Sequence, residues 1–203
     1  GLHSGSRLAN VMSSPLVYKM SRNVFSSSYK GRMFALFRHP VDRALSMYFY
    51  LATATWDPMH NPKLKDMTIE EYAHSDSIEH NWITRFLIDK TTGGLTKEDM
   101  LVAKEILRKK CLVGMYDDLE ESLDRFARYF GWDADPTGHI EACQHACVES
   151  GDPRHRHPTL SEEEPEYQFI LDQNRYDLEL YEYAKVLYEA QGEQIFGVTI
   201  SRN

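Results

Sequence analysis

Arg38 and Ser46 stand eight residues apart in the run Met33–Tyr50, MFALFRHPVDRALSMYFY, and together they are residue types that hold a phosphate. A guanidinium offers a planar fork of donors matched to phosphate oxygens, and a hydroxyl adds another donor from the same side. Arg43 and Tyr50 flank Ser46 at i−3 and i+4, which places all three on one face of a helix. A second cationic tract, Arg154-His155-Arg156-His157, falls in a long loop-like stretch and reads either as an anion contact or as exposed loop. Cys111, Cys143 and Cys147 match no structural zinc template, even with His139, His145 and His155 near in sequence, so no metal site is expected. Cys143 and Cys147 are compatible with a small disulfide-closed loop in an oxidising compartment or with free thiols. Cys111 opens an apolar run and reads as a buried thiol.

The elements that must carry Arg38 and Ser46 are a strand and a helix. Met33–Phe37 has the length and aromatic content of a buried strand, and Pro40 suits the first turn of a helix, where its missing N–H costs nothing. A strand running into a helix N-terminus presents unpaired N–H groups and a positive dipole end. In open α/β sheets, ligands bind in the crevice beyond the carboxyl ends of parallel strands.

The run R-H-P-V-D-R-A-L-S-M-Y resembles the 3′-phosphate-binding motif of sulfotransferases that use 3′-phosphoadenosine 5′-phosphosulfate (PAPS), particularly the carbohydrate-acting branch. Three further segments resemble the family in order and spacing: Asn81-Trp82-Ile83-Thr84-Arg85-Phe86-Leu87, Cys111–Met115 followed by Glu120-Glu121-Ser122-Leu123, and Gln173–Tyr181. The resemblance implies that Arg38 and Ser46 hold the 3′-phosphate of PAPS, or of the product 3′,5′-adenosine diphosphate (PAP). It also implies an α/β, P-loop-like sulfotransferase fold, a parallel sheet flanked by helices. His39 replaces the Asp or Asn common at its position. The implied reaction moves a sulfuryl group to a hydroxyl or amine, with carbohydrate the implied acceptor, and the implied place is the lumen of the secretory pathway or Golgi.

The family also uses an N-terminal strand and a Gly/Ser/Thr-rich loop around the 5′-phosphosulfate, and nothing before residue 33 supplies them. Gly1-Leu2-His3-Ser4-Gly5-Ser6-Arg7 has suitable residue types but no strand before it. The chain therefore reads as a helix-rich, N-terminally truncated member, either a fragment of an enzyme or a relic lacking the first strand, in which a protein partner covers the truncated sheet edge. His3 precedes Arg38 but lies in an exposed terminal position, so no catalytic residue is assigned. A nucleotide kinase would need a Walker-type lysine loop and acidic metal ligands, which the sequence does not show.

The 203 residues, 42% of them hydrophobic, are enough for a single domain over 1–203, with 1–30 its least defined part. The net charge of −8 is unevenly spread: residues 1–56 balance at +6 and residues 57–203 at −14. The basic part carries the phosphate motif. That polarity favours a small anion at one end and speaks against nucleic acid, which needs a broad basic face.

The remaining pattern alternates helices and short apolar runs. Thr68-Ile69-Glu70-Glu71 and Thr96-Lys97-Glu98-Asp99 have capping-box form, and Asp76-Ser77-Ile78-Glu79 predicts a helix running to about Asp89. Cys111–Met115 predicts a strand, and Asp117–Phe130 an amphipathic helix with Leu119, Leu123, Phe126 and Phe130 on one stripe and Gly131 as its stop. Residues 132–160 read as loop, Ser161–Gln173 and Asp177–Gln191 as helices, and Ile195–Ile200 as a terminal strand. Tyr181 and Tyr188 share a stripe and are expected in the core. Arg108-Lys109-Lys110 are expected to complement a helix C-terminus.

Overall fold

Two short apolar strands, each followed by a turn and a helix, organise the molecule. The computed structural model describes Asn23 and residues 31–134, 137–150 and 157–197. Strand β1 (Met33–Phe37) leads into α1 (Pro40–Thr53), with Pro40 at the first helical position as its fixed φ favours. A 3₁₀ turn (Pro62–Asp66), α2 (Ile69–Ala73), α3 (Trp82–Ile88) and α4 (Lys97–Lys110) follow, then β2 (Cys111–Met115) and α5 (Leu119–Phe130). After them come α6 (His139–Ser150), α7 (Pro165–Gln173), α8 (Arg175–Gln191) and a π-helical turn, Gly192–Phe196.

Among the described residues the sheet has two strands, paired parallel with Met33 opposite Cys111 and Phe37 opposite Met115. The architecture is therefore α/β and helix-rich. Met33, Ala35 and Phe37 join Cys111, Val113 and Met115 on one face, packed with α3, α4 and α8 residues including Leu107, Leu180 and Tyr188. The other face rests on α5, where Phe34 lies 4.7 Å from the Phe126 ring. Gly114 permits that approach, because a Cβ there would stand 2.5 Å from Phe126 Cζ. A second apolar cluster gathers α1, α2 and α7 around Leu45, Tyr72 and Ile170.

The two sheet edges differ. Beyond β2, the Gln191 amide donates to the Cys111 carbonyl at 2.9 Å and accepts from the Val113 N–H at 2.9 Å. The Ser122 hydroxyl accepts from Met115 N–H and donates to its carbonyl. These side chains satisfy main-chain groups that a further strand would otherwise pair. Beyond β1, Phe34 and Leu36 turn their main-chain groups outward, and their side chains are 42% and 41% exposed.

Both Thr68 and Thr96 form the capping boxes that their sequences predict. Elsewhere the structure corrects the sequence reading. The helix expected from Asp76 begins at Trp82 instead, because Asn81 takes a left-handed conformation (φ 52°) and α3 is capped by a residue remote in sequence. Within 132–160 there is a helix, α6, whose weakly amphipathic surface residues gave no periodic signal. Helix α7 starts at Pro165, after a turn over 161–164, and residues 192–196 continue helically where a strand was expected; 198–200 lie outside the described residues. Cys143 and Cys147, on successive turns of α6, are exposed free thiols and close no disulfide. Among the described residues no helix is long and apolar enough to cross a membrane.

The stripe of α5 also sits differently: its fully buried positions are Ser122, Arg125, Phe126 and Ala127. Arg125 is 0% exposed and donates to Glu121 and to the Tyr188 carbonyl, with its guanidinium 3.9 Å from the Tyr188 ring centroid. Gly192 makes room for it: a Cβ there would meet Arg125 Nη2 at 2.7 Å.

Candidate anion site at the carboxyl edge of the sheet

At the carboxyl ends of β1 and β2 the chain leaves the sheet through Arg38-His39 and Tyr116-Asp117, side by side, with the Tyr116 N–H donating to the Phe37 carbonyl at 2.7 Å. Arg38 lies half-buried with its guanidinium 4.8 Å from the Tyr116 ring centroid. Its Nη2 stands 3.5 Å from His157 Nε2. Among the described residues no carboxylate comes within ion-pair distance of Arg38.

His39 forms the N-terminal boundary of α1 without a side-chain cap. Its ring stacks with Tyr167 at 5.9 Å and meets Tyr181 edge-on at 5.4 Å. Burial lowers the pKa of His39, against the opposing pull of Asp42, Asp117, Glu182 and Glu162. Tyr181 donates its hydroxyl to Asp117 at 2.7 Å, and burial, with Asp117, raises its pKa. Tyr181 is thus a wall of this edge as well as a core residue.

Ser46 is half-buried on α1, and its hydroxyl has no hydrogen-bond partner among the described residues. One turn further on, the Phe49 ring stacks on His157 at 5.3 Å with the planes 11° apart. His157 therefore links the Arg38 turn to the stretch of α1 that carries Ser46. The two predicted flanking residues serve other purposes. Arg43 donates to Glu79 at 2.6 Å, stands 4.0 Å from Asp177 and lies over Trp82. Tyr50 donates to Asp57 at 2.7 Å, which lowers the Asp57 pKa.

No protein-family model, curated protein or solved structure matches this chain.

The segments 81–87 and 173–181 meet in space. Asp177, 2% exposed, accepts from the Ile83 and Thr84 N–H groups at 3.0 and 2.8 Å and from the Thr84 hydroxyl at 2.7 Å. Asn81 Oδ1 in turn accepts from the N–H groups of Tyr176 and Asp177 at 2.8 and 3.1 Å. Each residue supplies the N-terminal cap of the other's helix, a structural role. Arg85 donates to the carbonyls of His80, Lys90 and Gly93, pinning the turn after α3.

Residues 1–7, with His3, and residues 154–156 lie outside the described residues; of the cationic tract only His157 is placed. Arg108, Lys109 and Lys110 stand in the last turn of α4, where Arg108 and Lys109 pair with Glu105. A shallow depression of about 380 Å³, lined by Leu101, Val102, Ile106 and neighbouring Glu105, Lys109 and Lys110, lies on α4 at the opposite end of β2 and is mainly apolar. Among the described residues no group of His, Cys, Asp and Glu has the geometry to hold a metal ion. Sequence reasoning missed Tyr116, Asp117 and Tyr167 at the carboxyl edge, because nothing local to them marks a site.

Proposed function

We propose that this chain is a sulfotransferase-like domain with a P-loop-like fold whose Arg38 and Ser46 bind the 3′-phosphate of PAPS or PAP. The observation that carries the reading is the guanidinium of Arg38, without an acidic partner among the described residues, at the carboxyl edge of a parallel sheet and followed by a helix whose Ser46 hydroxyl is unpartnered among the described residues. A charged donor without an acidic partner, followed on the next helix by an unused hydroxyl, fits a phosphate, which takes several charge-assisted hydrogen bonds at once. Asp42 in the first turn of α1 competes with an anion for the helix dipole, so Arg38 must supply most of the attraction. PAPS supplies a sulfuryl group, which passes to a hydroxyl or amine of an acceptor while PAP leaves. Carbohydrate acceptors and a lumenal location in the secretory pathway belong to the same proposal through the resemblance of Asn174, Asp177, Leu180 and Tyr181. In this chain Arg38 and Ser46 position the nucleotide and break no bond.

The test is calorimetric titration of the chain with PAP. Micromolar binding that Arg38→Ala weakens severely supports the reading, and an unchanged affinity in that variant refutes the site.

One observation favours a second reading, a non-catalytic subunit of sulfotransferase fold: the outer edge of β1, where Phe34 and Leu36 are exposed and their main-chain groups are unpaired among the described residues. Such an edge accepts a strand from a protein partner. Retention of a partner together with no PAP affinity would favour this alternative.

A further inference from the structure

His157 carries a chemical constraint at the Arg38 edge. Its Nε2 faces Arg38 Nη2 at 3.5 Å, and its Nδ1 faces the Pro158 carbonyl oxygen at 3.0 Å. A guanidinium only donates, so Nε2 must present its lone pair there; a carbonyl only accepts, so Nδ1 must carry the hydrogen. Two independent partners thus select the same neutral tautomer, while Phe49 holds the ring plane from α1. The contact to Arg38 is long for a charged donor. A phosphoryl oxygen, which takes such bonds at about 2.7–2.9 Å, is a better acceptor for that guanidinium.

We infer that His157 is a third ligand-contacting residue of the Arg38 site and that it takes up a proton when a dianion binds. The inference rests on the proposed anion-binding role of Arg38 and adds His157 to it. With the site open, a proton on Nε2 would set imidazolium against guanidinium. With a dianion between them, guanidinium and imidazolium both face negative charge, and the Nε2 proton comes from solvent. Binding then strengthens as pH falls, because the bound state holds the extra proton. His157 itself faces Arg38 from the β1–α1 turn, and the carboxylates that act on neighbouring His39 are Asp42 from α1, Asp117 after β2, Glu162 before α7 and Glu182 from α8. His39 is the other imidazole there, and it serves as the control.

The experiment titrates the full chain with PAP and with sulfate, which stays a dianion between pH 6 and 8, and follows the imidazole nitrogens by ¹⁵N NMR. The free protein is expected to show the Nδ1–H form of His157. From pH 8 to pH 6 wild type is expected to gain roughly threefold to tenfold in sulfate affinity. His157→Gln should lose that gain and His39→Asn should keep it. An Nε2–H tautomer in the free wild-type protein, or the same pH slope in His157→Gln, overturns the inference, the first even if the variant folds poorly. PAP binding that needs Arg38 but ignores His157 overturns this inference alone and leaves the nucleotide reading standing. Sulfate binding with a His157-dependent slope but no PAP affinity does the reverse, and a chain that binds neither anion loses both.

Discussion

Asn81 and Asp177 cap each other's helices across 96 residues of sequence: the amide oxygen of Asn81 accepts from the N–H groups of Tyr176 and Asp177, and the carboxylate of Asp177 accepts from Ile83 and Thr84. Both N-termini are turned inward, where their unpaired donors could not reach water freely. The exchange satisfies them and fixes α3 against α8. Asn81 also holds the chain in place, its N–H donating to Asn174 Oδ1 at 2.9 Å and its side chain to the Gln173 carbonyl at 2.9 Å.

Removing either member should therefore cost more than an exposed cap. Asp177→Ala is expected to destabilise by about 3 kcal/mol, since it strands two buried N–H groups and a hydroxyl, and Asn81→Ala by about 1–2 kcal/mol. The double variant should lose less than the sum, because each single change already loosens the shared junction. Urea unfolding of the four proteins measures all three quantities.

Arg38 and Ser46 should separate by magnitude. Arg38→Ala is expected to weaken PAP binding by roughly 10–100-fold and Ser46→Ala by roughly tenfold or less, as a charged bond outweighs a neutral one. Arg38→Lys should recover only part of the loss, for it keeps the charge but not the fork. Calorimetry at fixed salt gives the three affinities.

Gly192→Ala and Gly114→Ala should both destabilise, by about 1–3 kcal/mol each, for different reasons. At 192 the new methyl meets the guanidinium of fully buried Arg125, and at 114 it meets the Phe126 ring that packs under the sheet. Alanine at Gly94, where a Cβ meets nothing within 4 Å, should be tolerated. Thermal melts of the three variants check the contrast.

The thiols should divide by burial. Cys143 and Cys147 are exposed and should react with Ellman's reagent in the native protein, whereas Cys111 should react only after unfolding. Burial pushes the Cys111 thiol up to about 12. Its folded pKa lies above the unfolded one of about 8.5, so its contribution to stability is complete below that pH and declines as pH rises toward 12. Tyr72 and Tyr181, both raised chiefly by burial, act in the same direction at higher pH. Stability should therefore fall on the alkaline side, and Cys111→Ala should flatten the first part of that fall.

Much of the local structure was legible from residue order. Pro40 after an apolar run announced the β1–α1 turn, Thr68 and Thr96 announced their helices through boxes closed within four residues, and Gly131 at φ 73° ended α5 where its position predicted. These signals are complete within a few residues, so no distant partner was needed to read them. The misplaced start of α3 has the opposite cause: its cap, Asp177, is supplied by another helix, and no local pattern records it. The α5 stripe misled for a related reason, since Arg125 is buried by Tyr188 and Gly192 rather than by any property of its own helix.

The sequence alone determined the strand and the helix that carry Arg38 and Ser46, because spacing along one element is a local quantity. Only the tertiary structure decided what surrounds that pair: that Arg43 turns to Glu79 while Arg38 keeps no acidic partner among the described residues, and that His157 reaches back 119 residues to the guanidinium. Which charges neutralise one another depends on distances between elements, and those are set by packing.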